Sequence, residues 1–431
     1  MKKYLLKLNI VVLAVLFFGV FGFAASSEAS NIYVRAGASG NGADWASALA
    51  DLPATLTRGD TYYVADGAYS GYTFDDTSSG SSYITIKKAT IADHGSDIGW
   101  QDSYGDGQAA FGPLLINMSY IIIDGNSATW SYGISVTQTG GGHGIRIGQS
   151  STVSNVTVQG VTVDMAGATA GVEYRGFYLS SGAYSKTNVL LQNVEVHDSE
   201  GDCLTADATD YITIDHLVCR DRRNVGGGVH GDGLELWGVN HGTVRYSKFN
   251  WNGQQIFFAG TGSYTGWEIY GNMFYGGATA GKAIIIKSAP VSIHIYNNVL
   301  QGLNMGFSGF ATNTTGDGKN NIFYNVNSSG WGSVTHSYNA SNNGQGLGGA
   351  NDITLTSSPF VTVGSNFHLT APLASAGDSS IGATYKTDAD GITRGSGGVW
   401  NRGAFEYNPS GTPQPPAPPS RPSPPFNLGI N

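Results

Sequence analysis

Cysteine is nearly absent: 431 residues contain two, Cys203 and Cys219. One bridge is the most they can form, so the chain cannot be a disulfide-built mini-fold and must be held by a packed core. Charge is also sparse, with 12% charged residues and a formal net charge of -9. That balance fits neither a nucleic-acid binder nor a long-helix protein. It counts against polyanionic partners except where a local basic patch outweighs it within the ~10 Å screening length. No helical period appears after the first thirty residues, and no second long apolar run follows, so no membrane span is expected.

The first thirty residues have the form of a secretion signal. Lys2, Lys3 and Lys7 make a basic start, an apolar run extends from Ile10 to Phe23, and Ala24 and Ala29 offer small residues for cleavage. An exported or cell-surface, monomeric protein is expected, and export permits the Cys203–Cys219 bridge. The last residues, 409–431, are proline-rich and read as an extended linker or surface-attachment tail.

Between these ends, runs of β-branched and aromatic residues broken by glycine and asparagine recur from about Ile84 to Phe323. Anchors at Val158, Leu191, Ile214, Val244, Ile269 and Ile295 are separated by steps of 33, 23, 30, 25 and 26 residues. A period near 25 with loop-sized insertions signals a solenoid. Each unit carries a second strand: "HGIRIG", "RGFYLS", "DCLTAD", "DGLELW", "QIFFAG", "KAIIIK". Short strands joined by turns at this period fit an all-β, single-stranded, right-handed parallel β-helix with coils ~4.8 Å apart. The domain is expected over 31–408, with its regular coils from about 84 to 340.

Aligning the second strands on Phe177, Leu204, Leu234, Ile256 and Ile284 places Arg175, Asp202, Asp232, Gln254 and Lys282 in one column, with His143 above. A neighbouring column reads Arg146, Tyr178, Thr205, Glu235, Phe257, Ile285. Acids, bases and aromatics thus converge on one face, as an extended polysaccharide groove requires. Tyr178, Trp237 and Phe258 are the expected aromatic platforms; His143, Arg146, Gln254 and Lys287 are expected to bind sugar. Stacked aspartates can also cap backbone amides, but structural ladders tend to repeat one residue type and this column mixes them. The alignment puts Cys203 and Cys219 on adjacent rungs, within disulfide reach, where the bridge would hold Asp202. His94, His216 and His241 have no metal-ligand spacing with the cysteines and read as turn or surface residues.

The opening segment 31–71 and the closing segment 366–407 resemble those of secreted bacterial β-helix proteins related to pectate lyases. "GDCLTADATDYITIDHLVC" is similar to the stretch around the "DDC" motif of polygalacturonases, in which the cysteine pairs sixteen residues later and a "GHG" motif follows. On that resemblance Asp202 matches the second aspartate and His230 of "GVHGDG" the histidine. Gly201 replaces the first aspartate, "RDRRNVGGG" is inserted before His230, no "NTD" precedes, and "IIIK" lacks the arginine of "RIK".

Three functions follow. A lyase acting on an acidic, uronic polysaccharide would use Lys282 as base, with Lys287 second and Arg175 beside it. Asp202, Asp232, Glu235 and Asp207 would hold Ca²⁺. A hydrolase would use two of Asp202, Asp232 and Glu235 as its carboxyl pair, assisted by His230. A non-catalytic glycan-binding or adhesin module would need only the groove and the tail. The lyase is ranked first.

Overall fold

The computed structural model describes residues 29–409 apart from 78–79, 126–131, 180–181, 224–229, 251–252, 261, 277–280, 288–290 and 311–313. The segments expected to be a secretion signal and a tail thus lie almost wholly outside the described residues. Among those described, no helix is long and apolar enough to cross a membrane.

The repeat folds as a right-handed parallel β-helix. Each full coil has three strand positions, and each position stacks in parallel on the coils before and after it. One stack contains the sequence anchors, with Val158 opposite Leu191, Leu191 opposite Ile214, Ile214 opposite Val244, Val244 opposite Ile269 and Ile269 opposite Ile295. A second stack follows around the coil, for example Lys248–Asn250 beside Met273–Tyr275 and Val299–Gln301. The third is a nine-stranded sheet from Tyr72–Phe74 to Met305–Ser308, and it carries the polar column.

Alternation explains why this sheet has a dry and a wet side. Ile145, Ile147, Phe177, Leu179, Leu204, Ala206, Leu234, Leu236, Ile256, Phe258, Ile284 and Ile286 point inward and are at most 2% exposed. Each large one contributes roughly 1.5–3 kcal/mol of burial. The residues between them must then face outward.

Corners are made by single left-handed residues. Asn193, His216, Tyr246, Asn297 and Asn320 have φ between 48° and 60° and stack above one another, with Gly271 taking the same place at φ 67°. A Cβ on Gly271 would come 2.6 Å from Tyr246 Cδ1, so this rung needs glycine. His241 is also a left-handed turn residue at φ 49°, and His94 sits at a turn stacked on Trp100. The reading of these histidines as turn residues therefore holds.

Two boundaries differ from the sequence expectation. Regular coils begin at Asn31–Val34, which pairs with Thr61–Val64, rather than near residue 84. Parallel pairing continues to Ile353–Thr354. The strands before residue 84 leave little trace in the sequence because they are short, three or four residues each, and lack a full apolar period. Beyond them the closing segment folds back onto the outside of the coils. Tyr385 meets Tyr270 and Tyr296 edge-on, and Ala389 reaches His216 Nε2 through its carbonyl at 3.3 Å.

The disulfide is present, with Cα atoms 6.1 Å apart and both cysteines fully buried. Its placement corrects the expected register. Cys203 precedes Leu204–Asp207 and Cys219 lies in Thr209–Arg220 of the same coil. The bridge closes one coil on itself instead of joining adjacent rungs.

Candidate functional site

Strand pairing reproduces both polar columns. Ile145, Phe177, Leu204, Leu234, Ile256 and Ile284 are successive partners, and Gln254 is directly opposite Lys282. Arg146, Tyr178, Thr205, Glu235, Phe257 and Ile285 pair in the same order.

At the centre lies Asp202, fully buried. Its Oδ2 accepts from Arg175 Nε at 3.1 Å and from Thr205 Oγ1 at 2.5 Å, and its Oδ1 accepts from the Asp232 backbone N–H at 2.7 Å. Arg175 also donates to Thr205 Oγ1 at 3.0 Å and lies 3.2 Å from Glu173 Oε1 and 3.8 Å from Glu235 Oε2. Burial opposes charge on this guanidinium, but Asp202 and Glu173 outweigh it and raise its affinity for the proton.

The next coil is acidic without matching compensation. Asp232 is 1% exposed, and its Oδ2 has no hydrogen-bond partner although His230 Nδ1 stands 3.4 Å away. Burial, then the charges of Asp202 and Glu235, push its carboxyl up to about 9. Burial and Asp202 likewise raise Glu235, against hydrogen bonding from Trp237 and the pull of Arg175. Glu173 is raised by burial and, more weakly, by Asp202. Oxygens of Glu173, Asp202 and Glu235 fall within 4.8 Å of one another, as do ligand atoms of His230, Asp232 and Glu235. Three of these carboxylates thus face Arg175, and Arg222 adds a weaker attraction at Glu173. A buried excess of negative charge with an orphaned oxygen fits a hard divalent cation.

Beside the acids a pocket of about 260 Å³ is lined by Arg222, His230, Gly231, Asp232, Gly253, Gln254 and Lys282. Gln254 Nε2 lies 3.1 Å from His230 Nε2 and 3.4 Å from Asp232 Oδ1. Lys282 is half-buried with its backbone N–H bonded to Gly253. On the other side His143 stacks on Tyr178 with centroids 4.0 Å apart.

Several expected site residues lie elsewhere. Phe258 is fully buried against Tyr264 and Trp267 and cannot be a sugar platform; Phe257 is the outward ring. Asp207 sits at the opposite end of the strands, paired with Lys186 Nζ at 2.9 Å, and accepts from Gly182 N–H. It is outside the acidic groups that could share an ion among the described residues. Lys287 is exposed beyond the end of Lys282–Ile286, on the Asp207 side rather than in the pocket. Trp237 is 43% exposed and opposite Asp207, yet its ring reaches Glu235. Conversely, Glu173 and Arg222 join the site without having been identified, because both stand in loops between coils where strand alignment assigns no register. Their signal was proximity in sequence to Arg175 and to the "RDRR" insertion.

No family model matches the chain, and no curated protein matches it significantly. Among solved structures it is similar to the crystal structure of pectate lyase Pel9A, with a TM-score of 0.56 at 15% identity, covering 89% of this chain and 97% of that one. A lacto-N-biosidase from Eubacterium ramulus aligns with a TM-score of 0.31 at 12% identity, over 76% and 68% of the two chains. The first likeness establishes the architecture as a pectate-lyase-like β-helix. At this identity it carries no chemistry.

Proposed function

We propose that this chain is an exported carbohydrate-active protein that cleaves an acidic polysaccharide by β-elimination. The observation that carries the reading is the buried acidic excess of Asp202, Asp232, Glu235 and Glu173 on the same outward face as Lys282. At its acidic coils the groove would meet an acidic sugar through an intervening cation. Calcium held by Asp232 and Glu235 at the pocket, with Asp202 and Glu173 clustered on the same Glu235, would neutralise a uronate carboxylate and acidify the neighbouring C5 proton.

The chain's own groups then divide the work. Arg175 and Thr205 hold Asp202 in one orientation. Lys282 takes the C5 proton; the electron pair left behind forms the C4–C5 double bond, and the bond from C4 to the glycosidic oxygen breaks. We assign His230, 56% exposed at the rim, to protonate the departing oxygen, and Gln254 to orient it.

One observation favours hydrolysis as a second reading: Asp232, raised to about 9 beside Asp202, is protonated at neutral pH as a general acid must be. Incubation with uronic and neutral polysaccharides separates the two. Ultraviolet absorbance from unsaturated ends, lost on chelation, supports elimination; reducing ends without that absorbance overturn it in favour of hydrolysis, and neither product makes the groove a binding surface only.

A further inference from the structure

Two coils from Asp202 the outward column changes from acidic to basic. Arg146 stands between Leu115 and Tyr178 in the sheet, and neither can neutralise a guanidinium. Its Nε is buried without a hydrogen-bond partner. No ion pair or hydrogen bond compensates the rest of it among the described residues. That Nε has lost hydration without a partner in return, while the terminal nitrogens of the half-buried guanidinium stay open to a ligand.

Beside it, His143 is fixed in orientation and in tautomer. Its ring lies on Tyr178 at 17° to parallel, edge-on to Tyr174, with the Arg175 guanidinium 5.5 Å from the Tyr178 centroid. Its Nδ1 accepts the Arg175 backbone N–H at 3.0 Å. A ring nitrogen that accepts carries no proton, so the neutral imidazole must hold its proton on Nε2 and present it as a donor. Burial, then Arg175 and Arg146, hold His143 down to about 4, so this neutral form persists at ordinary pH.

We propose that Arg146 and His143 form a sugar subsite that reads a carboxylate, with Tyr178 as the positioning residue beneath His143. The planar fork of Arg146 matches a carboxylate, and His143 Nε2–H donates to the same group or to a ring hydroxyl beside it. Coils ~4.8 Å apart place the subsite ~10 Å along the axis from Asp202, about the span of two linked pyranoses. The bound polymer therefore carries an acidic residue ~10 Å along the groove from the sugar that lies over Asp202, on the side away from Lys282. This rests on the reading of the column as the polysaccharide surface, and it adds that recognition of charge is distributed along the groove.

The test is equilibrium binding by the full chain in the Lys282→Ala background, which prevents cutting. The probes are hexamers of galacturonate, glucuronate, mannuronate and guluronate, each with its carboxyl-reduced, neutral counterpart. At least one uronate should bind on the order of tenfold tighter than its neutral form. In chelator, where a bound cation contributes nothing, Arg146→Gln should remove most of that preference, and Arg146→Lys should restore part of it. A preference fully retained in Arg146→Gln, with an unchanged sheet spectrum, overturns the subsite and leaves the lyase reading standing. Uronate binding without unsaturated products from the unmodified chain overturns the lyase alone. No binding to any uronate overturns both.

Discussion

Two ladders run along this solenoid, and they obey opposite rules. At the inner corner after each left-handed turn, Asn272, Asn298, Asn321 and Asn339 stack fully buried. Each backbone N–H in the series donates to the next Oδ1, at 2.9 Å from Asn272, 3.0 Å from Asn298 and 2.9 Å from Asn321, and the Nδ2 groups reach carbonyls of Val244, Ile269 and Ile295. One residue type repeats because one hydrogen-bonding problem repeats. On the front sheet, His143, Arg175, Asp202, Asp232, Gln254 and Lys282 occupy an equally regular column, yet no two neighbours are alike except the aspartates. Here charge is in excess, and Asp232 keeps an oxygen without a hydrogen bond. The first ladder satisfies itself; the second leaves groups unsatisfied, which under the proposed function a ligand completes.

The largest effects should separate these rules most sharply. Asp232→Asn and Lys282→Ala are each expected to lower turnover by about 10²–10⁴-fold, while thermal unfolding stays near that of the unmodified chain. Asp232→Asn should even be slightly stabilising without metal, because it removes an acid crowded by Asp202 and Glu235. Steady-state rates beside melting curves decide this, and lowered stability with full activity would make the column a set of turn caps. Asn298→Ala should do the reverse. It leaves the Asn272 N–H and the Ile269 carbonyl buried without these partners, at about 1–3 kcal/mol each. Urea unfolding should show that loss while KM and kcat hold.

The disulfide tests whether structure and site are coupled. Replacing Cys203 and Cys219 together by serine should cost up to about 3 kcal/mol in the chain-entropy model, read as a shifted denaturation midpoint. Cys203 adjoins Asp202, and its N–H bonds to the Asp232 carbonyl. Reduced turnover at a temperature where the variant is still folded is therefore expected, and unchanged turnover would make the bridge a staple alone.

Much of this was legible in the sequence, for a physical reason. Once the inward residues are aligned, a period of two turns their neighbours Arg146, Tyr178, Thr205, Glu235 and Phe257 outward; Arg175, Asp202, Asp232, Gln254 and Lys282 stand two residues before an inward one and join their column through the alignment, not through alternation. The same rule, applied strictly, assigns Phe257 outward and Phe258 inward; the platform was misplaced by choosing between adjacent aromatics on type instead of side. Asp207 was grouped with the acids by closeness in sequence, although a strand's length separates its two ends. The asparagine ladder was visible in "YGNMF", "YNNVL" and "KNNIFY" but was passed over as turn composition. Glu173 and Arg222 were beyond reach because loops carry no period.

The smallest expected effect depends on pH, and its sign is set by which acids are raised. Asp232 has a folded value of about 9, above its ordinary 3.8. The folded chain therefore binds a proton that the unfolded chain releases, and metal-free stability should fall as pH rises from about 4 towards 9. Glu235 is raised in the same direction. Asp215 provides the contrast: burial works against its charge, but His216 and Arg245 prevail and hold it at about 2. Its contribution is complete above the ordinary value and is lost only as pH falls towards 2, so it adds no slope between pH 5 and 8. Within that window the chelated protein should lose on the order of 1 kcal/mol, since hydration and relaxation relieve much of the ~1.36 kcal/mol per unit of a rigid buried acid. Calcium should raise the melting temperature more at pH 8 than at pH 5, because its ligands must give up protons to bind it. Asp232→Asn should flatten both trends. If melting curves instead rise with pH in chelator and ignore calcium, the acids are satisfied by the chain itself, and the front column belongs with the asparagines.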